Sequence, residues 1–287
     1  MTTLFRIMGA LVIAASLSVS LGAQWPSHPT PDVPRKDGKP ILDGPAPRTP
    51  EGKVDFSGIW NRFGGGGGGG RGRAGGGPPP PTTTADGIPL STFGEVAGRG
   101  FALPLQPWAA ELKKRRMADN NKDNRDVWCL PIGLMQYHNH PQPRQIVQTK
   151  NLILITYESN YGLRYIYMDG RPAPNNDPTP WWFGYSRGWF EGDTLVVETT
   201  NFRGDERAGW LDVNGSPYTE ALKMTERFRR PNFGTLEIDV TIDDPKAYTK
   251  PFTVRVNQRI MVDQEMIEFI CNENEQSSKH LEPPKKS

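Results

Sequence analysis

From Gln145 onward, apolar and polar residues alternate with a period of two. Strict alternation places successive side chains on opposite faces of a strand. Nine strands are expected, over 145–149, 152–158, 163–169, 183–189, 194–201, 221–230, 235–243, 252–261 and 265–271. The clearest is 235–243, where Leu236, Ile238, Val240 and Ile242 alternate with Glu237, Asp239, Thr241 and Asp243. That pattern describes an antiparallel strand with one wet face. Turn signals separate the runs at Asp169-Gly170, Glu191-Gly192-Asp193, Asn214-Gly215 and Asn232-Phe233-Gly234. One helix is expected earlier, over Pro107 to Ala118, with Pro107 in its first turn. Trp108, Leu112 and Met117 fall roughly on one side of it, and Lys113 to Arg116 mostly elsewhere. The fold class is therefore mainly β: an antiparallel barrel or sandwich with one flanking helix.

Composition restricts where that domain lies. The 287 residues include 31 Gly and 28 Pro, well above the usual combined share of roughly an eighth. These residues concentrate before the strands. Residues 24–53 form a Pro-rich polar lead, expected to be extended and poorly ordered. Residues 64–81 hold an unbroken glycine run, Arg71-Gly72-Arg73 and four prolines, and read as a flexible insertion. The run lacks the Lys-Ser/Thr ending of a phosphate loop. The expected globular unit is a single domain over 54–275, followed by a polar tail over 276–287.

Residues 1–23 read as a secretory signal peptide. Arg6 supplies the positive start, Met8 to Leu21 an uncharged apolar run, and Leu21-Gly22-Ala23 a small-residue cleavage site. The run is shorter than the ~18 residues a membrane span needs. The mature chain is expected to be periplasmic or secreted, with no membrane span. Cys129 and Cys271, an even pair in an oxidising compartment, then read as a disulfide. The alternative is two buried thiols. The net charge is only +2, and a nucleic-acid partner, which needs a large basic excess, is not expected.

Four features could carry chemistry. Tyr137-His138-Asn139-His140 holds two of the four histidines. On a strand their spacing would suit a metal, but no third ligand is identifiable, and Pro141 and Pro143 favour an extended loop. No metal and no cofactor are therefore expected. Glu226 shares a strand face with Leu222, Met224 and Phe228. A carboxylate on an apolar face must pair, bind or stay protonated, here with an Arg such as Arg164 or Arg255, or with a ligand. Aromatic residues crowd 181–190, after Tyr157, Tyr161, Tyr165 and Tyr167. Most are expected in the core, with one or two lining a pocket. No serine-hydrolase elbow, zincin helix or dinucleotide fingerprint is present.

Several motifs together resemble a family of uncharacterised secreted bacterial proteins. They are Asp55-Phe56-Ser57-Gly58-Ile59-Trp60, Cys129-Leu130-Pro131, Ile146-Val147-Gln148-Thr149, Met168-Asp169-Gly170-Arg171-Pro172 and Glu191-Gly192-Asp193-Thr194-Leu195-Val196-Val197. Thr225-Glu226-Arg227-Phe228, Ile242-Asp243-Asp244-Pro245-Lys246-Ala247-Tyr248-Thr249 and Cys271-Asn272-Glu273-Asn274-Glu275 complete the set. This resemblance covers 55–60 and about 101–281 and implies no activity. More loosely, Gly58-x-Trp60 is similar to the opening motif of lipocalin-like barrels. That similarity implies a Trp closing one barrel end under an Arg from a late strand, here Arg255 or Arg259.

The expected function is binding of a small molecule in a partly apolar barrel pocket. Tyr137, His140, Arg144, Arg164, Tyr167, Trp182 and Trp189 are the expected ligand contacts. The alternative is an enzyme on the same barrel, an isomerase, cyclase or hydrolase. In it Glu226 or His138 acts as general base and Arg164 stabilises an anion. A third reading is a polysaccharide-associated module using exposed, coplanar Trp181 and Trp182.

Overall fold

The computed structural model describes residues 29–62, 90–92, 103–174, 179–204 and 209–273. The expected signal peptide, the glycine-rich insertion and the polar tail lie outside the described residues. Twelve strands are described. β1 (Arg35–Lys36) and β2 (Lys39–Pro40) form a short hairpin in the lead. β3 (Gly58–Arg62) and β4 (Leu90–Thr92) follow, then β5 (Arg144–Gln148), β6 (Leu152–Tyr157), β7 (Leu163–Tyr167) and β8 (Tyr185–Glu191). β9 (Thr194–Thr200), β10 (Lys223–Asn232), β11 (Thr235–Asp243) and β12 (Phe252–Met261) complete the set. Two α-helices are described: α1 (Pro107–Ala118) and α2 (Leu134–Asn139).

Nine strands close into a barrel in the order β3-β5-β6-β7-β8-β9-β10-β11-β12, and β12 returns to β3. Closure removes the open sheet edge. It also corrects the expected membership. The ninth strand is not 265–271, which is irregular, but β3, far earlier in the chain. The barrel is mixed, not purely antiparallel. β7 and β8 pair in parallel, as do β12 and β4. A parallel neighbour needs a long return connection. The segment between Tyr167 and Tyr185 is such a connection, opened by the expected turn at Asp169-Gly170.

The core is the inward set of the alternation. Ile153, Ile155, Ile166, Leu195, Val197, Met224, Phe228, Leu236, Ile238, Val240, Ile242 and Val254 are buried together. Asp239 on the outward face is also buried, gripped by Arg229 and Arg255. Trp60 is fully buried, and its indole N–H donates to Phe56 O at 2.9 Å. A late-strand guanidinium does lie over it, 4.8 Å from its ring, but it belongs to Arg230 on β10. Arg255 is engaged by Asp239, and Arg259 is on the exposed face.

α1 has the expected bounds, but a different face is inward. Ala109 and Arg116 are its buried residues, while Trp108 and Met117 are exposed. The described part of the lead, 29–53, is also fixed to the barrel. Phe233 N donates to Gly44 O, Gly234 N to Leu42 O, and Arg48 pairs with Asp193. The expectation of an unordered lead fails there because these backbone groups complete the end of the β10–β11 hairpin.

Cys129 and Cys271 are disulfide-bonded, with Cα atoms 5.5 Å apart. Cys271 follows the last strand instead of lying in it. The bond ties the irregular segment after β12 to the 3-10 turn Arg125–Trp128.

α2 is the largest departure from expectation, a helix where an extended loop was expected. A six-residue helix is marginal alone, so tertiary contacts must hold it. Leu134, Met135, Gln136, Tyr137 and His138 are all buried. Arg144 Nη2 donates to the carbonyls of Tyr137 and His138, each at 3.0 Å, satisfying helix-end acceptors. Pro141 and Pro143 follow the helix, where proline is common. At the other end Gly133 meets the backbone of Trp210. A Cβ there would collide with Trp210 O and approach Tyr218 Cε1 at 3.4 Å. Gly133→Ala is therefore expected to cost about 1–3 kcal/mol by overpacking. A lowered urea midpoint checks this, and a wild-type midpoint refutes the contact.

Candidate functional site

Period-two alternation aims Arg144 of β5, Arg164 of β7, Ser186 of β8, Thr199 of β9, Glu226 of β10 and Gln258 of β12 inward, and all six are buried. α2 adds His138 from one end. His138 Nε2 lies 2.6 Å from Glu226 Oε1, and Arg144 Nη1 lies 2.9 Å from His138 Nδ1. A guanidinium only donates. Nδ1 must therefore accept, and the Nε2–H donates to Glu226. Arg164 forks onto Glu226, with Nη1 to Oε1 at 3.0 Å and Nη2 to Oε2. Its Nε donates to Ser186 Oγ at 3.0 Å and its Nη2 to Thr199 Oγ1 at 2.9 Å. Gln258, with its amide oxygen turned to Arg144, accepts from both Nη atoms at 2.7 and 2.8 Å.

The electrostatics follow from burial and pairing. Burial pushes the Glu226 carboxyl up, but the Arg164 charge and the His138 hydrogen bond outweigh it and bring it to about 2. Burial lowers His138, which the two guanidiniums reinforce and Glu226 only partly offsets. Burial also pushes Arg144 down to about 10. With His138 neutral, two cations face one carboxylate. Arg144 meets no carboxylate; its acceptors are carbonyls, an amide and an imidazole. Of the partners expected for Glu226, Arg164 or Arg255 or a ligand, Arg164 is the one it meets, while Arg255 pairs with Asp239. His138 and Glu226 also come together. Each of their four polar atoms has at least one protein partner.

A second polar group lies beside α2, at the barrel end near the disulfide. His140 Nε2 is 3.1 Å from Asp126 Oδ2, and Asn160 Nδ2 donates to Asp126 Oδ1 at 3.0 Å. The His140 hydrogen bond, working against burial, holds the Asp126 carboxyl below its usual range. Tyr137 and Tyr157 pack with ring centroids 4.4 Å apart, and Phe183 lies 5.5 Å from Tyr137. Burial raises both phenols. Here the hydrogen-bond accounting does not close. Ser159 Oγ, Asn160 Oδ1 and His140 Nδ1 are buried atoms without a protein partner, and Tyr137 Oη and Tyr157 Oη have only looser contacts, to the Ile132 backbone and the Arg164 guanidinium.

The remaining expected contacts do not reach either group. Tyr167 faces outward, stacked on Tyr185 at 5.1 Å under Arg171. Trp189 is exposed on the barrel wall, and its Nε1 donates to Glu191. Trp182 is half-buried beneath Arg203, 4.8 Å from its ring, before β8 begins. Trp181 is exposed and Trp182 is not, so the two do not form one open platform. The aromatic run is thus less buried than its composition suggests, because alternation sends every second ring outward.

Asp126, Ser159, Asn160 and Gln258 were not anticipated. Gln258 had a legible signal, a polar residue on the inward face of β12 beside Val254 and Val256. Asp126, Ser159 and Asn160 lie in short turns without periodicity. Among the described residues, no group of three or more His, Cys, Asp or Glu side chains could hold a metal ion. Nor is any described helix long and apolar enough to cross a membrane. No protein family, curated protein or solved structure matches this chain.

Proposed function

We propose that this chain is a periplasmic or secreted barrel that binds a small molecule at the barrel end covered by α2. The observation that carries this reading is the set of buried, partnerless polar atoms on Ser159, Asn160 and His140, beside the loosely held hydroxyls of Tyr137 and Tyr157. Buried polar groups are nearly always hydrogen-bonded. A cluster of exceptions on adjoining elements suits a ligand that supplies the missing donors and acceptors. The Tyr137, Tyr157 and Phe183 rings supply apolar contact, giving the mixed lining usual for small-molecule sites. Because these atoms are shielded, ligand entry requires α2 or the Ser159–Tyr161 turn to shift.

Native mass spectrometry of the mature protein, against a denatured spectrum, tests this reading together with Tyr137→Phe and Tyr157→Phe. The expected result is a co-purified mass, lost on denaturation and about tenfold depleted in the double variant. A buried hydroxyl without a well-formed hydrogen bond costs about 1–3 kcal/mol of desolvation when it serves no ligand. A clean protein mass, with Phe variants as stable as wild type or more so, therefore overturns the reading.

An enzyme is the second reading, and one observation favours it. His140 Nε2 is held against Asp126, and its Nδ1 is shielded without a protein partner. In this reading His140 is the general base. His140→Gln should abolish turnover in a substrate screen while the unfolding midpoint holds.

A further inference from the structure

Several shielded atoms at the barrel end are acceptors, and the groups they are bonded to fix that identity. Asn160 Nδ2 faces Asp126 Oδ1 at 3.0 Å and Leu130 O at 3.3 Å. A carboxylate and a carbonyl only accept, so the other, shielded atom of the Asn160 amide is its oxygen. Gln136 Nε2 donates at 3.3 Å to Asn124 Oδ1, which also accepts from Asp126 N. The shielded Gln136 Oε1 is therefore an oxygen as well, and it has no donor. Ser159 Oγ is the third shielded atom without a partner. Gln136, Ser159 and Asn160 are each more than nine-tenths buried.

These groups are gathered about Asp126. Asn160 and Gln136 are tied to the 124–126 turn by the bonds above. A Cβ on Gly162 would lie 2.9 Å from Tyr157 Cδ2 and 3.0 Å from Tyr137 Cζ, so the Ser159–Tyr161 turn closes directly onto the two rings. Among the described residues, Asp126 pairs with His140 and Asn160 and with no guanidinium or ammonium group. The guanidiniums of Arg144 and Arg164 reach these side chains at Tyr157, away from Asp126. A ligand that completes the three oxygens must donate to them. A carboxylate donates no hydrogen, a hydroxyl one and an ammonium group three. An alkylamine is protonated at neutral pH, as the lysine side chain is with its pKa of ~10.4.

We infer that the barrel-end site binds a primary amine as its ammonium ion. The N–H groups donate to Asn160 Oδ1, Ser159 Oγ and Gln136 Oε1 beside the Asp126 carboxylate, and the carbon chain lies against the Tyr137 and Phe183 rings. This inference rests on the site proposed above and adds the chemistry of its ligand.

The probes are butylammonium, n-butanol and butyrate, which share a carbon chain and differ in donor count and charge. They are titrated to tens of millimolar into mature protein that has been unfolded in urea and refolded with its disulfide intact, which releases any molecule already bound. The readout is the imidazole carbon resonance of His140, assigned by its loss in His140→Gln. Butylammonium is expected to shift that resonance saturably and to bind about tenfold more tightly than n-butanol, with butyrate weaker than both. Asp126→Asn keeps the shape of the side chain and removes its charge, and should bring butylammonium to the affinity of n-butanol. Ser159→Ala removes one partnerless oxygen and should weaken butylammonium about fivefold. The inference is overturned if butylammonium leaves the resonance unmoved, if n-butanol or butyrate binds wild type as tightly, or if neither variant weakens butylammonium. A co-purified mass in the native spectrum, together with any of these results, retains the site and discards the amine. No co-purified mass and no response to any probe discards both.

Discussion

Glu226→Ala is expected to be among the most destabilising single substitutions in this chain, costing about 3–5 kcal/mol, the range for removing one partner of a buried ion pair. Glu226 is fully buried and, among the described residues, is the only carboxylate within the His138–Arg144–Arg164 network. Its loss leaves Arg164 with two hydroxyls and raises the interior to two unpaired cations. It also releases His138, and with it one of the ties between α2 and the barrel. Glu226→Gln keeps shape and hydrogen bonds but not charge, so an intermediate loss is expected. Combining Glu226→Ala with Arg164→Met should recover part of the loss, because an apolar replacement of a whole buried pair can be neutral. Urea unfolding of the singles and the double gives the coupling. A Glu226→Ala midpoint within ~0.5 kcal/mol of wild type refutes this role.

The same network sets an acid limit. Glu226 is held at about 2, below its ordinary 4.5, so its contribution is complete above 4.5 and is lost as pH falls toward 2. His138 is lowered from 6.5, first because it is buried and then because Arg144 and Arg164 face it, against the pull of Glu226. Its contribution is complete above 6.5 and declines as pH falls below that value. Both act in one direction. Stability should begin to decline below about pH 6.5 and fall more steeply below about 4.5. In Glu226→Gln the lower part of that decline should disappear. A stability profile flat from pH 7 to pH 3 contradicts the arrangement.

Removing the disulfide is the second large effect. Cys129→Ser with Cys271→Ser should cost about 2–5 kcal/mol, since the bond closes a loop of well over a hundred residues in the unfolded chain. The folded state is affected locally as well. Beyond Met261 the chain is irregular, and its other described ties are few. Asp263 meets Arg35 and Thr30, and Ile267 N donates to Glu158 at 3.3 Å. Calorimetry with and without reductant, and hydrogen exchange over 125–130 and 262–273, measure the two components. An unchanged midpoint after full reduction shows that the bond adds nothing to the tie.

Much of the barrel wall was legible because alternation is a local signal of one-sided burial. Leu236 to Ile242 needed no partner to declare their inward face, and neither did Leu222, Met224, Glu226 and Phe228. The same alternation exposed Glu226 as an anomaly and named Arg164 as a possible partner. Pro107 marked the start of α1, and the lone cysteine pair its bond. Those conclusions depend on neighbours in sequence, or on pairs with few alternatives.

What only the tertiary structure decided depends on distant residues meeting. Gly58–Arg62 is too short to declare itself a closing strand until β5 and β12 present their edges to it. The parallel pairing of β7 with β8 depends on where a long connection returns, which periodicity does not encode. Arg230, not Arg255 or Arg259, covers Trp60 because register sets which late-strand guanidinium reaches that end. α2 is a helix against the local proline signal because Arg144, Glu226 and the carbonyl of Trp210 shape its seat. A short apolar segment with a histidine has no stable structure alone. Its conformation, its tautomer and the engagement of both its ring nitrogens come from groups on β5 and β10, which the chain brings together only when the barrel closes.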